Sequence, residues 1–154
     1  MNLKAFSLLT FLAVMALFGI NSCSSSQKIK SGDVAFAQKS YSLAANLYQT
    51  EYGKETDPRK KAQKAFRLGE SFRNNGQMDK AEKWYEEAVR LGYTEPIATF
   101  DYGLALKGNG KYLQAVDQFS NYAKLEPFSK QRAFDEIKSC QLAIKWEKER
   151  NGEN

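Results

Sequence analysis

Three small residues in the middle of the chain are each repeated 34 positions later: Gly69 at Gly103, Gly76 at Gly110 and Ala81 at Ala115. A period of this length is typical of helical repeat arrays, in which each unit buries its apolar face against the next unit. The offset therefore predicts a repeat array over the middle of the chain. Arrays of this kind normally bind other molecules rather than transform them, so the pattern favours a binding function.

Each of the two periods contains apolar residues at helical spacing, interrupted by an Asn-Gly turn. In the first period the two apolar helix faces comprise Ala65, Leu68, Gly69 and Phe72, and then Ala81, Trp84, Tyr85, Ala88 and Leu91. In the second period they comprise Phe100, Tyr102, Gly103 and Leu106, and then Tyr112, Ala115, Phe119, Tyr122 and Leu125. Each period is therefore predicted to form two helices, and we expect the aromatic residues of the second helices to serve packing.

The composition supports an all-helical fold and argues against several kinds of catalytic and metal site. Lys, Glu, Ala, Gln and Leu are frequent, and no segment alternates apolar and polar residues as a strand does. Histidine is absent from the sequence, and Cys140 is the only cysteine after Cys23. The commonest general base, the commonest metal ligands and an internal disulfide pair are therefore missing, and we predict no metal and no cofactor. Cys140 is interpreted as a core residue, with a reactive thiol as the alternative.

The two periods resemble the tetratricopeptide repeat. The first contains L-G-x-x-F, G-x-M and A-x-x-W-Y-x-x-A, and the second contains Y-G-x-x-L, G-x-Y, A-x-x-x-F and L-E-P. In that family, small residues let paired helices approach closely, and aromatic residues fill the gaps between neighbouring pairs. The resemblance implies an all-α fold, a right-handed superhelix of about three helix pairs followed by a C-terminal capping helix.

The array is expected to cover residues 28–146. A weaker first copy keeps the internal spacing of the motif at Gly32, Tyr41, Ala44 and Tyr48, and it lies three residues further from the second copy than the period requires. The segments are therefore placed at about 28–57, 62–95 and 96–129 for the repeats, 130–149 for the cap and 150–154 for a disordered tail.

The N-terminus has the form of a secretory signal. Lys4 precedes an apolar run at residues 5–20, which is shorter than the roughly 20 residues that span a bilayer. A transmembrane helix is therefore the less favoured alternative. The ending Ile20-Asn21-Ser22-Cys23 resembles a bacterial lipobox, which implies a signal peptide at 1–22, a lipidated Cys23 and a Ser-rich tether at 23–27. Several acyl chains would hold such a chain at a membrane.

Three stretches narrow the resemblance: A-x-x-L-G-E-S-F-R-N-N-G, A-E-K-W-Y-x-x-A and L-G-Y-T-E-P. They are similar to the N-terminal module of Bacteroidota outer-membrane lipoproteins, in which a β-propeller and an OmpA-like peptidoglycan-binding domain follow. Some of these belong to the type IX secretion and gliding apparatus. The resemblance implies an outer-membrane lipoprotein that faces the periplasm. Neither downstream domain occurs in this sequence, so peptidoglycan binding is not carried over, and the chain is expected to be either a short member or a truncated one.

In this family the first helix of each pair lines a concave groove, which binds an extended peptide or a partner helix. The residues expected to face the groove are Phe36, Phe66, Glu70, Arg73, Phe100, Leu104 and Lys107. Aromatic anchors beside single charges suit such ligands. The alternative for each aromatic residue is a place in the core, and for Arg73 and Lys107 it is plain exposure to solvent.

The leading hypothesis is a lipid-anchored adaptor that holds an envelope protein or peptide in the groove. One alternative is a purely structural subunit of an outer-membrane complex, docked through the capping helix or the convex face. An enzyme based on Glu86 and Glu87 is least favoured, because that pair is expected on an exposed helix face. No nucleic-acid partner is expected, since basic and acidic residues are interleaved. The basic run Arg59-Lys60-Lys61 with Lys64 is interpreted as a solvated face, with contact to anionic lipid as the alternative.

Overall fold

The computed structural model of the chain describes residues 29–152. The predicted signal peptide, Cys23 and its tether at 23–27 lie outside the described residues, as do the last two positions of the predicted tail. The repeat array and the predicted groove residues all fall within the described part, so the structure tests their placement.

Seven α-helices and no strand make up residues 29–152. In chain order they are α1 (Gly32–Ala37), α2 (Tyr41–Lys54), α3 (Pro58–Asn74), α4 (Met78–Arg90), α5 (Pro96–Gly108), α6 (Tyr112–Leu125) and α7 (Lys130–Asn151). Each helix packs against the next one along the chain, so that α1–α2, α3–α4 and α5–α6 form pairs and α7 packs on α6. The prediction of an all-α array of three helix pairs with a final single helix is confirmed. We call α1, α3, α5 and α7 the first helices, and α2, α4 and α6 the second helices.

Local sequence signals set the ends of several helices. The Asp57 carboxylate accepts a hydrogen bond from the backbone N–H of Lys60 (3.0 Å), and Pro58 occupies the first turn of α3, where its missing N–H costs nothing. Gly76 and Gly110 end the turns within the second and third pairs with φ of 73° and 74°. Because this left-handed conformation is unfavourable for other residues, it explains why glycine recurs at this position of the period.

A ring-on-glycine contact joins the two helices of every pair. A Cβ placed on Gly32, Gly69 or Gly103 would lie 2.4, 2.6 or 2.7 Å from an aromatic ring of the paired second helix. The rings belong to Tyr48, Tyr85 and Phe119, each 16 residues after its glycine, and all three are buried. The recurring glycine therefore provides the space in which the ring of the second helix lies. The expectation that the aromatic residues of the second helices serve packing is confirmed for Tyr85, Phe119 and Tyr122, while Trp84 is half-buried.

Helix α7 packs on the last pair as the first helix of a further repeat would. Its fully buried residues, Ala133 and Cys140, stand 35 positions after Ala98 and Ala105, which are the residues that α5 buries in the preceding cluster. Ala133 and Cys140 pack into the cluster that contains Phe119. Cys140 is thus a core residue, as predicted, and burial raises the pKa of its thiol, which disfavours the reactive thiolate.

The opposite face of α7 lacks the residues that receive a second helix in the earlier pairs. Where α5 presents Phe100, Gly103 and Leu106 to its second helix, α7 has Asp135, Lys138 and Gln141 at the same 35-residue offset. All three side chains are exposed, as are Phe134 (46%) and Leu142 (43%), one turn before and one turn after Lys138. A lysine at the glycine position leaves no space for the ring of a second helix, so the ring-on-glycine contact is not repeated on this face.

Helix α7 is longer than expected. It continues through Arg150 and Asn151, two residues beyond the predicted end at Glu149, and Gly152 ends it in the left-handed conformation. The prediction that residues 150–152 belong to a disordered tail is therefore wrong, because the glycine cap places the helix end after Asn151. No helix between residues 29 and 152 combines the length and the apolar character that crossing a membrane requires.

We predict that Gly69→Ala lowers the free energy of unfolding by about 1–3 kcal/mol, because the new methyl group would overlap the buried ring of Tyr85. Gly53→Ala is the matched control. Gly53 also lies within a helix, but a Cβ there has no neighbour within 4 Å, so this change should stabilise the protein by roughly 0.5–1 kcal/mol. Urea unfolding of both variants measures the difference. A gain in stability from both alanines would contradict the ring-on-glycine contact.

Candidate binding groove

The first helices α3, α5 and α7 line a hollow of about 630 Å³, which we call the first-helix groove. The residues that line it are Arg73, Asn74, Met78, Leu104, Lys107, Gly108, Tyr112, Glu136, Ser139, Ala143 and Trp146. It therefore runs from the turn within the second pair, across the third pair, to the cap. A hollow of this size accepts several side chains of a peptide but not a folded domain.

Three of the predicted groove residues line this hollow together. Arg73 contributes from α3, and Leu104 and Lys107 contribute from α5. Glu70 lies one turn before Arg73 on α3, with its side chain largely buried and paired with Arg67 at 2.7 Å. The structure thus brings Arg73, Leu104 and Lys107 into one site and keeps Glu70 beside it.

Phe66 and Phe100 do not face the groove, and their predicted place in it is wrong. Phe66 is 3% exposed and Phe100 is 2% exposed, so neither ring can contact a ligand. The Phe66 ring stacks on Tyr93 with centroids 4.8 Å apart. Phe100 packs against Phe119, and the guanidinium of Arg132 lies 3.7 Å from its centroid. Both rings are covered by residues that follow their own helix in the chain, which corresponds to the alternative of a core position.

Phe36 lies on α1 and is not part of the first-helix groove. Its ring makes an edge-to-face contact with Tyr41, with centroids 5.3 Å apart. The guanidinium of Arg67 lies 6.0 Å from the Phe36 centroid. The half-buried Phe36 is thus occupied by contacts within the first pair and with α3, away from Leu104 and Lys107.

The guanidinium of Arg73 is paired with a buried carboxylate, Asp101, which the sequence did not lead us to expect at the site. Arg73 donates a hydrogen bond from Nε to the Tyr85 hydroxyl (3.1 Å), and its Nη2 lies 3.4 Å from an oxygen of Asp101. Asp101 is buried on α5, and burial raises the pKa of its carboxyl group to about 6, while Arg73 only partly opposes this shift. The signal in the sequence is a carboxylate within the apolar run Ala98 to Leu106, where a charge needs a partner.

The charge of Lys107 is paired across the groove with the cap. Its Nζ donates to the Glu136 carboxylate at 2.8 Å, and both side chains are partly buried. The pair joins α5 to α7, and both residues line the groove. Neither Arg73 nor Lys107 is a plain solvated residue, because each has a fixed partner before any ligand arrives.

Several groove residues come from elements that sequence reasoning did not assign to a binding site. Ser139, Ala143 and Trp146 lie on α7, and Met78 and Tyr112 begin the second helices α4 and α6. Extending the repeat to α7 would have found Ser139, because it stands 35 positions after Leu104. The indole of Trp146 is 64% exposed and is the largest open apolar surface of the groove.

Within residues 29–152 no cluster of three or more His, Cys, Asp or Glu side chains could hold a metal ion. Glu87 accepts hydrogen bonds from Arg90 (2.6 Å) and from the Tyr52 hydroxyl (2.5 Å), and these bonds hold the pKa of its carboxyl group below its usual value. Glu87 therefore joins neighbouring helices. In comparisons with known proteins, no family model matches this chain and no curated protein is significantly similar to it.

We predict that Asp101→Asn changes how stability depends on pH. A carboxyl group whose pKa is raised on folding contributes stability in full below its unfolded pKa, and this contribution is lost as pH rises through the folded pKa. Asparagine does not titrate, so the variant does not lose this stability as pH rises. Its free energy of unfolding, relative to wild type, should therefore rise by about 2–3 kcal/mol between about pH 4 and pH 7.

Urea unfolding across this pH range measures the Asp101 effect. Asp117→Asn, at an exposed position of α6, is the matched control for the loss of one carboxylate. Parallel stability curves for wild type and Asp101→Asn would contradict the assignment of a raised pKa to Asp101.

Proposed function

We propose that the chain is a lipid-anchored scaffold of the bacterial cell envelope, which binds an envelope protein or peptide in the first-helix groove. The observation that carries this proposal is an open hollow in which fixed charges lie beside accessible apolar side chains. Arg73 and Lys107 supply the charges, and Leu104 and Trp146 supply apolar surface. The function is binding, and it requires neither a cofactor nor a reaction.

The contacts of the groove favour a peptide segment with an apolar anchor residue. Because Arg73 and Lys107 are already paired, an incoming acidic group would have to displace Asp101 or Glu136. An apolar side chain instead gains by covering the exposed indole of Trp146, since aromatic residues contribute strongly to binding. The fixed charge pairs also reduce the ordering cost on binding, because these side chains are already positioned. The expected ligand is therefore an extended segment or a helix that inserts one large apolar residue.

The proposed location rests on the sequence. The lipobox-like ending at Cys23 and the apolar run before it support lipidation and export. The sequence motifs of the repeats support an outer-membrane lipoprotein that faces the periplasm. On the same grounds we propose a place in type IX secretion, gliding or envelope assembly. A lipid anchor would raise the local concentration of the groove for membrane-bound partners without any additional contact.

A structural subunit that docks outside the groove is the second candidate. Exposed apolar side chains on α6 favour it, because Leu113 is 71% exposed and Leu125 is 56% exposed. Both leucines lie outside the first-helix groove, although Tyr112, the neighbour of Leu113, lines it. In this case the partner would contact the second helices, or the face of the cap that carries Phe134 and Leu142 outside the groove.

Cross-linking and capture of a tagged copy from its native envelope separates the two functions. The groove variant is Trp146→Ala with Lys107→Glu, which removes an exposed ring and reverses one charge at the groove. We expect this variant to capture at least about tenfold less of the partner than wild type does. Hot-spot residues of this kind contribute more than about 1.4 kcal/mol to the binding free energy. Quantitative mass spectrometry of the captured proteins measures the change.

The matched control is Leu113→Ala with Asp117→Lys, which likewise removes an exposed apolar side chain and reverses one charge, at exposed positions of α6. Partner capture should survive in this control if the groove binds the partner. Loss of the partner in the α6 variant, with capture retained in the groove variant, would reject the groove and favour the structural subunit. Circular dichroism confirms that both variants remain folded.

A further inference from the structure

One edge of the array collects the starts of the first helices. The loops at 55–57, 91–95 and 126–129 each connect a second helix to the first helix of the next unit, and residues 29–31 lead into α1. Since consecutive helices pack together through short loops, these segments lie at the same edge. The Lys61 ammonium, at the start of α3, lies 4.9 Å from the ring centroid of Tyr52, near the end of α2, as this arrangement requires.

Exposed cations lie along this edge, which we call the basic edge. Five of its exposed basic residues are Lys54, Arg59, Lys60, Lys124 and Lys130, and Lys30, Arg90 and Arg132 are also exposed there. Within the described part of the chain none of these five forms an ion pair, whereas Arg73 and Lys107 at the groove are both paired. Unpaired exposed cations remain available for an anionic surface.

The acidic residues at the basic edge are partly engaged with the backbone. Asp57 accepts from the Lys60 N–H at 3.0 Å, and Glu55 accepts from the N–H groups of Thr56 and Asp57, each at 3.0 Å. Glu95 and Glu126 lie at the later loops. These hydrogen bonds position the carboxylates without removing their charge, and the exposed cations of the basic edge outnumber these four acids.

An apolar tip stands among these cations. Phe128 is fully exposed in the loop between α6 and α7, directly after Pro127, and Leu125 is 56% exposed at the end of α6. Lys124 and Lys130 flank the tip. Aromatic and leucine side chains surrounded by basic residues are the combination that inserts into the interfacial region of a bilayer, because the apolar part leaves water while the cations meet lipid phosphates.

The chain enters the array at the same edge. Ile29 is six residues after Cys23, and six residues reach at most about 20 Å when fully extended. A lipid attached to Cys23 would therefore keep α1, and the edge at which it begins, within this distance of the bilayer surface. Charge, apolar tip and chain entry thus coincide at one side of the molecule.

We propose that the basic edge binds the surface of an anionic lipid bilayer, with Phe128 inserted among the head groups. The setting rests on the proposed lipid anchor, but the surface itself should bind without acylation. This orientation would hold the first-helix groove away from the bilayer, because the ends of α3 and α5 and the starts of α4 and α6 line it, at the opposite edge of the array.

Vesicle binding by the unacylated chain tests this surface separately from the groove. The protein begins at residue 23 and carries Cys23→Ser, so that it retains all the helices described. It is sedimented with vesicles of phosphatidylglycerol and phosphatidylcholine, and with vesicles of phosphatidylcholine alone. We expect binding to the anionic vesicles, weakened by added salt, and at least about tenfold less binding to the neutral vesicles.

Substitutions at the basic edge assign the binding to it. Arg59→Gln with Lys60→Gln should lower the partition coefficient roughly thirtyfold, since each cation near an anionic surface contributes about 1 kcal/mol. Phe128→Ser should lower it by about fivefold without removing charge. The matched control is Lys83→Gln with Lys138→Gln, which removes two exposed cations away from the edge and should change the coefficient less than about threefold.

Absence of binding to anionic vesicles, or an equal loss in the edge and control variants, would overturn the proposal. Partner capture distinguishes this failure from failure of the groove. If Trp146→Ala with Lys107→Glu abolishes partner capture but the unacylated chain does not bind anionic vesicles, the proposed function stands. Only the proposed membrane-binding edge is then rejected.

Discussion

The contact of an aromatic ring with a glycine, made once in each helix pair, is the constraint on which the rest of the structure depends. It brings the two helices together, and it also determines what the ring can do at its far end. In the second pair the ring is Tyr85, whose hydroxyl accepts a hydrogen bond from Arg73. In the third pair the ring is Phe119, which has no hydroxyl. Lys107, the counterpart of Arg73 one period later, instead pairs with Glu136 of the cap. Arg73 is thus held inward by Tyr85 and Asp101, whereas Lys107 reaches across the groove to the cap.

Helix α7 covers the last helix pair and also lines the candidate groove. Its inner face continues the buried alanine positions of α5, and another face carries Ser139, Ala143 and Trp146 into the groove. At the positions where α5 receives its second helix, α7 has Asp135, Lys138 and Gln141. The proposed binding function would therefore use the same helix that covers the core of the last pair, with Trp146 as its exposed apolar side chain.

Sequence periodicity predicted the helix pairs, the packing role of the second-helix rings and the core position of Cys140, because these depend on spacing within one repeat. It placed Phe66 and Phe100 wrongly, since a helical pattern gives the face of a residue but not the neighbour that covers it. Tyr93 provides that cover for Phe66 from the loop after α4, and Arg132 provides it for Phe100 from the following helix, α7. Asp101 was missed for the related reason that its partner, Arg73, lies on another helix. Contacts between units are set by the twist of the whole array, which no single repeat contains.

The short first helix has a mechanical consequence. Helix α1 has only six residues, and it is held chiefly by the Tyr48 ring on Gly32, by the hydrogen bond from the Tyr48 hydroxyl to Asp33 (2.6 Å) and by the Glu51 carboxylate that accepts from the Gly32 N–H (2.9 Å). A force applied through the residues before Ile29 would act on this element first. Since α3, α5 and α7 provide the groove, α1 would detach and lengthen the connection under load while the remaining array stayed folded.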